Sequence, residues 1–425
     1  MELLKRFIGN KSPIRLWWHY SKAFIAAFIY GFPARKLFII GITGTDGKTT
    51  AVGMLAHILN KNGIKTGAAS TAFFQINDEI VENSTHLTSI SQFSLQKFLR
   101  NLVKNGCTHA VIEMSSHGLV QGRTKFTFPS IAAITNVTSE HLDYHGSTKQ
   151  YLKDKSIIFS MLRNKGTKVL NIDDASYEYY SSIKTNSSMI YSPSGKECDV
   201  YSKNIEVTKN GCKADIYLPN KLSCKLSLPI AGLFNVKNAL CATSCAIACN
   251  VNSLSAIESL KNFPGIPGRM ERIDEGQDFS VFVDFAVSAK SYENVLFSLN
   301  EMTKNKGRVL VMCSSCGNRM KEKRPEIGRI CSKLADVVVA TEDETYGENP
   351  HSVLEEVWNA IDKDICEAHK IFDRKEAIEF LFNTAKEGDA VVLCGMGPFN
   401  YMSKLEGNVE WDERKIARAI LKKMK

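Results

Sequence analysis

The chain lacks several features that would settle its class at once. It has no apolar run of the ~20 residues that a spanning helix needs; the uninterrupted stretch Ala23 to Phe32 is far shorter. No small-residue cleavage site follows that stretch, so it does not read as a secretory signal. Without a signal, the twelve cysteines imply no oxidising compartment, and the expected location is cytoplasmic. Cys241, Cys245 and Cys249 recur every four residues in an Ala-rich helical run, the pattern of small buried apolar groups. Cys313 and Cys316 form a C-x-x-C with no second pair at zinc spacing, which argues against a zinc site. No helix-turn-helix, RNA-binding aromatic motif or long basic run is present, which removes nucleic acid as the expected partner. Internal repeats and low-complexity tracts are also missing.

What is there reads as a soluble globular protein of 425 residues, 44% hydrophobic and 23% charged, too long for one ordinary core. The net charge of +9 fits a polyanionic ligand such as a nucleotide, and equally nucleic acid or an anionic membrane surface, so it decides little alone. Residues 15–32 (RLWWHYSKAFIAAFIYGF) are aromatic and apolar, with Arg15, Lys22, Arg35 and Lys36 in or beside them. Trp and Phe stripes usually fill cores, so a helix packed on the body is the expectation. An interfacial helix making peripheral membrane contact is the second reading.

Short apolar runs alternate with helical sequence: LFIIGIT (37–43), AVIEM (110–114) and IAAIT (131–135). That alternation predicts an α/β fold with a parallel sheet. Residues 198–230 alternate in polarity and are broken by Asn-Gly and Pro-Asn, which predicts an antiparallel β insert. FPGIPGR (263–269) is a Pro/Gly-rich joint. Beyond it VFVDF, RVLVMC, DVVVAT and AVVLCG predict a second, Rossmann-like α/β domain. The expected domains are 1–37, 38–268 and 269–425. The basic amphipathic C-terminus, RKIARAILKKMK, reads as an ordinary surface helix.

The strongest chemical signal is Gly44-Thr45-Asp46-Gly47-Lys48-Thr49-Thr50 between a strand and a helix. Glycines let backbone N–H groups face a phosphate, and the helix N-terminus adds partial positive charge. Lys48 can reach terminal phosphates, and the Thr49 hydroxyl can ligate Mg²⁺. The strict G-x-x-x-x-G-K-[ST] pattern is not met, because Ile42 occupies its first glycine position. Downstream, Glu113 ends the AVIEM strand. His141, Asp143 and His145 cluster in SEHLDYHGSTKQYLKDK, with Lys155 on the following helix. Singly, each of these is more often a solvated or capping residue.

Together, GITGTDGKTT, IEMSSHGLVQGR, ITNVTSEHLDYHG, YLKDKSIIF, GLFNVKNA and GIPGRMER resemble successive signatures of the Mur ligase superfamily. SSHGLVQGR and HLDYHG point to its MurE type, over about residues 38 to 400. The resemblance implies a P-loop ATPase-like central domain and an ATP-dependent amide ligase acting through an acyl phosphate. The phosphate loop would be residues Gly44 to Thr50, with Asn235, Asn238, Arg269 and Asp284 as further ATP contacts. Thr49 and Glu113 would hold one Mg²⁺ and His141 would serve a second. Lys155 would be carbamylated and so also a metal ligand. Lys48, Glu113, His141 and Lys155 would form the catalytic set. Thr88, Ser115, Gln121 and Arg123 would hold a muramyl-peptide acceptor, and Arg319 and Asp343 a free amino acid. A monomer is expected.

Three departures accompany the resemblance. Only residues 1–37 precede the first strand, where the MurE type has a uridine-binding domain. The family's DYAHTP reads Asp284-Phe285-Ala286-Val287-Ser288-Ala289, losing the histidine. The amino-acid motifs GGDRD, DNPR and GKGHE become Cys316-Gly317-Asn318-Arg319-Met320, Asp343-Glu344-Thr345-Tyr346 and Gly395-Met396-Gly397-Pro398-Phe399. The cation that pairs with a distal carboxylate is missing, so diaminopimelate is not the expected substrate. Two alternatives remain: a superfamily ligase for another carboxylate acceptor, of the polyglutamate or polyamino-acid type, or a degenerate nucleotide-binding partner protein.

Overall fold

The structure, a computed structural model, describes residues 12–138, 140, 142–163, 166–304, 306–318 and 320–424. His141 and Arg319, two of the expected site residues, lie outside the described residues. The chain forms two compact units. One comprises residues 1–205, 214–227 and 236–263, the other residues 206–213, 228–235 and 264–425.

The first unit is built on an eleven-stranded sheet. Its strands are β1 (Phe38–Thr43), β2 (Thr66–Ala69), β3 (Phe73–Ile76), β4 (Glu79–Glu82), β5 (His109–Glu113) and β6 (Ile131–Ile134). They continue with β7 (Thr167–Asn171), β8 (Ser187–Ser192), β9 (Val200–Thr208), β10 (Gly211–Leu218) and β11 (Leu222–Leu228). The spatial order is β11-β10-β9-β8-β7-β6-β1-β5-β2-β3-β4. The core strands β2, β5, β1, β6, β7 and β8 run parallel, as their continuous apolar runs predict. The expected β insert joins the main sheet. β9 pairs parallel to β8, so β9 to β11 extend the main sheet. Only Lys209 and Asn210 join β9 to β10, a connection that antiparallel neighbours alone permit.

Chain order reverses at β1, which has β5 on one side and β6 on the other. Ligand crevices in open α/β sheets form at such switch points, beyond the carboxyl ends of the strands. Three helices matter here: α1 (Pro13–Ile29), α2 (Lys48–Lys61) and α3 (Gln92–Lys104). α2 leaves directly from the carboxyl end of β1. α1 starts on Pro13 behind Ser12, whose hydroxyl accepts from Arg15 N. It contacts α3, and its Ala23, Ala26 and Ala27 are buried, while Trp17, Trp18 and Phe28 are exposed. The helix does pack on the body, through these buried alanines and through Tyr20 and Phe24 against Phe126. No helix among the described residues is long and apolar enough to cross a membrane.

The second unit carries the expected second α/β sheet. Its strands are β12 (Glu271–Ile273), β13 (Ser280–Asp284), β14 (Val309–Cys313), β15 (Val337–Ala340), β16 (Glu367–Lys370) and β17 (Ala390–Cys394), in the order β12-β13-β17-β14-β15-β16. All but β12 run parallel. β18 (Tyr401–Lys404) and β19 (Gly407–Glu410) form a separate hairpin. The C-terminal helix Glu413–Lys423 buries Ala417, Ile420 and Leu421 and sets Arg418 against Glu271 and Glu275, an ordinary surface helix. Cys241 and Cys245 are fully buried and Cys249 nearly so, as their spacing predicts.

Candidate functional site

At the carboxyl end of β1 the backbone turns through Gly44 (φ +147°) and Gly47 (φ +78°), the latter in the left-handed region and capping α2. A Cβ at Gly44 would overlap the Thr135 hydroxyl, and one at Gly47 the Asn238 amide. The loop therefore requires glycine at both positions on steric grounds. Its peptide groups are gripped from the adjoining strand end. Thr45 N donates to Asn136 O (2.9 Å) and Asp46 N to Asn136 Oδ1 (3.0 Å). Thr135 Oγ1 (2.7 Å) and Asn136 Nδ2 (3.0 Å) both donate to Asp46 O. A loop pinned in this way keeps the start of α2 open to an anion.

Around the loop stand the expected polar side chains. Lys48 Nζ donates to Thr45 O (2.6 Å), folded over the loop it belongs to. Thr49 Oγ1 donates to Glu113 Oε2 (2.9 Å), and both residues are buried. The other donors to Glu113 are Thr71 N (2.8 Å) and Thr71 Oγ1 (3.0 Å). A hydroxyl and a carboxylate side by side are the hard oxygen donors that Mg²⁺ selects, so these residues fit a magnesium ion. Lys155 is buried, with Nζ 2.6 Å from Gly44 O and 4.4 Å from the centre of the Tyr151 ring. Burial, aided by the charge of Lys48, holds its amine well below the usual lysine range. A neutral amine is the form that reacts with CO₂, so the site fits a carbamate.

His145, close to His141 and Asp143 in sequence, faces inward. Its Nδ1 lies 2.5 Å from Asp154 Oδ2 and its Nε2 3.0 Å from Ser116 Oγ. The ring thereby ties helix Thr148–Ser160, which carries Lys155, to helix Ser116–Val120.

The expected acceptor residues gather beside Glu113. Thr88 Oγ1 accepts from Thr71 Oγ1 (2.9 Å), and the Ser115 hydroxyl caps the helix at Gly118 N (3.1 Å). Arg123 Nη1 reaches Ser89 O (2.7 Å) and its Nε reaches Gln121 Oε1 (2.9 Å). Motif reading assigned no role to Thr71, Ser89, Thr135, Asn136 or Tyr151, although the last three lie inside or beside the quoted signatures. Asn238 lies against Gly47 in this unit.

In the second unit the carboxyl ends of β13, β14, β15 and β17 bring together Asp284, Ser314, Asp343 and Gly395. Asp284 Oδ2 accepts from Met270 N (2.7 Å), and the Arg269 guanidinium lies 4.5 Å from the Phe285 ring centre. Asn235 Nδ2 donates to Ala231 O (2.6 Å). Asp343 accepts from Ser314 Oγ (2.5 Å) and from Glu344 N (2.6 Å). Sequence reasoning missed what holds this edge. Arg374 and Glu413, both fully buried, pair at 2.7 Å, and Arg374 also donates to Ser314 Oγ, Glu342 O and Cys394 O. Burial works against the guanidinium's charge, but Glu413 outweighs it and keeps the cation. No motif marks either residue. Among the described residues no group of three or more His, Cys, Asp or Glu side chains is placed to hold a metal ion, Cys313 and Cys316 included.

Comparison with known proteins gives a consistent picture. Residues 42–246 match the Mur ligase middle domain and residues 268–397 the Mur ligase, glutamate ligase domain. UDP-N-acetylmuramoyl-L-alanyl-D-glutamate--2,6-diaminopimelate ligase from Bacillus licheniformis is 37% identical over 406 residues, 94% of this chain and 82% of that protein. Its counterpart in Caldanaerobacter subterraneus is 34% identical over 409 residues, 94% of this chain and 81% of that one. A solved structure of a ligase of that name superposes with a TM-score of 0.64 at 27% identity, covering 91% of this chain and 79% of the other. Folylpolyglutamate synthase of Mycobacterium tuberculosis shares the fold, with a TM-score of 0.68 at 15% identity over 88% of this chain and 92% of its own.

Proposed function

The chain belongs to the Mur ligase family, an ATP-dependent ligase that forms carbon–nitrogen bonds, and on that premise we propose that it adds an amino acid to a UDP-N-acetylmuramyl-peptide or close analogue. This is a step of peptidoglycan precursor synthesis and so of cell-wall biogenesis, in the cytoplasm and by a monomer. The observation that carries the reading is the convergence of Lys48, Thr49, Glu113 and Lys155 on one glycine loop. A protein that only bound nucleotide would have no need to keep all four together. The working domains are taken as 38–268 and 269–425, behind an N-terminal segment 1–37.

The acceptor carboxylate attacks the γ-phosphate of ATP, giving an acyl phosphate and ADP. The incoming amine then displaces phosphate and forms the amide. The loop from Gly44 to Thr50 orients the phosphates through its N–H groups, and Lys48 offsets the charge that grows on the phosphoryl oxygens. Two Mg²⁺ ions, when bound, would neutralise the same oxygens. Thr49 and Glu113 would hold one of them, and His141 with Lys155 the second. Lys155 reaches that role as a carbamate, its amine adding to CO₂ with loss of a proton. Asn235, Asn238, Arg269 and Asp284 are proposed nucleotide contacts. Thr88, Ser115, Gln121 and Arg123 would hold the acceptor.

The amino acid is proposed to lack a distal carboxylate, with Arg319 and Asp343 holding its α-groups. Support comes from Asp343-Glu344-Thr345-Tyr346, where Tyr346 stands in place of the family's arginine beside two acids. Glu344 accepts from Tyr346 OH (3.0 Å) and Ser403 N (3.2 Å), turned into its own unit. The test is phosphate release from Mg-ATP with UDP-muramyl-dipeptide and each amino acid added singly. Release that needs the dipeptide and one amino acid other than diaminopimelate is expected. Release that diaminopimelate drives best would overturn the specificity, and release without any need for acceptor would overturn the ligase.

A further inference from the structure

The outward face of α1 plays no part in the ligase reading. Ile14, Trp17, Trp18, Ile25, Phe28 and Ile29 recur at helical spacing and share one side. They are exposed, Trp17 at 68% and Phe28 at 67%, while the opposite side rests on the body through Ala23, Ala26 and Ala27. Isolated exposed apolar residues are ordinary, but a contiguous aromatic and aliphatic face marks an interaction site. The face is rigidly mounted. Phe24 and Phe32 pack on Phe126 at 5.8 and 6.1 Å between ring centres, and Tyr20 at 5.4 Å.

Charge decides what the face meets. Three segments adjoin it: residues 12–37, residues 91–106 of the α3 region, and residues 124–130. They carry Arg15, Lys22, Arg35, Lys36, Lys97, Arg100, Lys104 and Lys125 and not one acidic residue, in a chain with 45 acidic residues. Lys97, Arg100 and Lys104 line a cavity of about 370 Å³ at the end of α1, walled by Ile29 and Tyr30. A second copy of the chain seated here would set like charges against each other. Residues 1–11, with one Glu against two Lys and one Arg, offer no acidic complement.

We propose that this face docks on the anionic surface of a lipid bilayer. The α1 side chains would enter the interfacial layer, and the α1–α3 cations would meet the headgroups, the cavity taking one of them. The helix lies flat on such a surface; its 17 residues, about 25 Å long, do not cross it. Aromatic rings at the headgroup level beside basic residues are the combination that favours this geometry.

The experiment is co-sedimentation of the full chain with vesicles of phosphatidylcholine alone or mixed with phosphatidylglycerol, at low and high salt. Expected is binding to the mixed vesicles that falls with salt. It should weaken about tenfold or more in W17S/F28S and in K97E/R100E/K104E. These residues are at least partly exposed, so circular dichroism and phosphate release with a soluble acceptor should match the parent chain. A folded parent chain that stays in the supernatant with both vesicles would overturn the proposal. So would equal binding to neutral vesicles with no effect of charge reversal. A concentration-dependent dimer that W17S/F28S disperses would assign the face to a second copy instead. Because the readout is sedimentation, it stands or falls separately from the ligase assay.

Discussion

The two carboxyl edges of the molecule are organised in opposite ways. At the end of β1 the shape is set by backbone: two positive-φ glycines, and a loop whose peptide groups are gripped by Thr135, Asn136 and Lys155. In the second unit the strand ends are held by one buried ion pair, Arg374–Glu413, that reaches Ser314, Glu342 and Cys394. The first arrangement leaves little freedom, since phosphate has one shape and charge. The second can hold a fixed frame while the residues on its rim change, and those rim motifs are the ones rewritten here. On the proposed reading, phosphoryl chemistry is built into the loop, and recognition of the amine into replaceable side chains on a separately braced edge.

That contrast can be broken by mutation. Replacing Lys48 by Ala should lower ATP-dependent phosphate release by about a thousandfold or more, roughly 4 kcal/mol. Its unfolding midpoint should stay unchanged, because Nζ bonds only a local carbonyl. The reverse holds for Arg374→Met, which leaves Glu413 buried without its cation. It should cost about 3–5 kcal/mol in denaturant unfolding. The double variant R374M/E413Q should be less damaged than R374M, and if it is not, the pair does not brace the edge. Gly47→Ala would sit at φ +78° against Asn238 and should weaken nucleotide binding about tenfold to a hundredfold, measured by calorimetry. The smallest effect is expected for Asp343→Asn, which should raise KM for the amino acid about tenfold. KM for ATP should not move; a joint change would show that the two edges do not divide the work.

The parallel strands were legible because buried strands must be continuously apolar, and LFIIGIT, AVIEM and IAAIT each became one. The glycine loop was legible because glycine and lysine have few other reasons to stand at that spacing between a strand and a helix. Which sheet the β insert joins was not legible, because alternation reports which face is wet, not which strand is the neighbour. The α1 helix packs on the body as expected, but only packing shows that three alanines, Tyr20 and Phe24 face the body while Trp17, Trp18 and Phe28 stay exposed. Arg374 and Glu413 carry no local signal at all, because their partnership spans 39 residues and depends on where two helices land.

Sequence alone therefore determined the fold class and the family, since periodicity and short motifs are local properties of a chain. Tertiary structure decided which side chains Glu113 and Lys155 face, what braces the second edge and which side of α1 is left uncovered. Those are outcomes of long-range packing, where burial and charge pairing between distant residues outweigh any local preference.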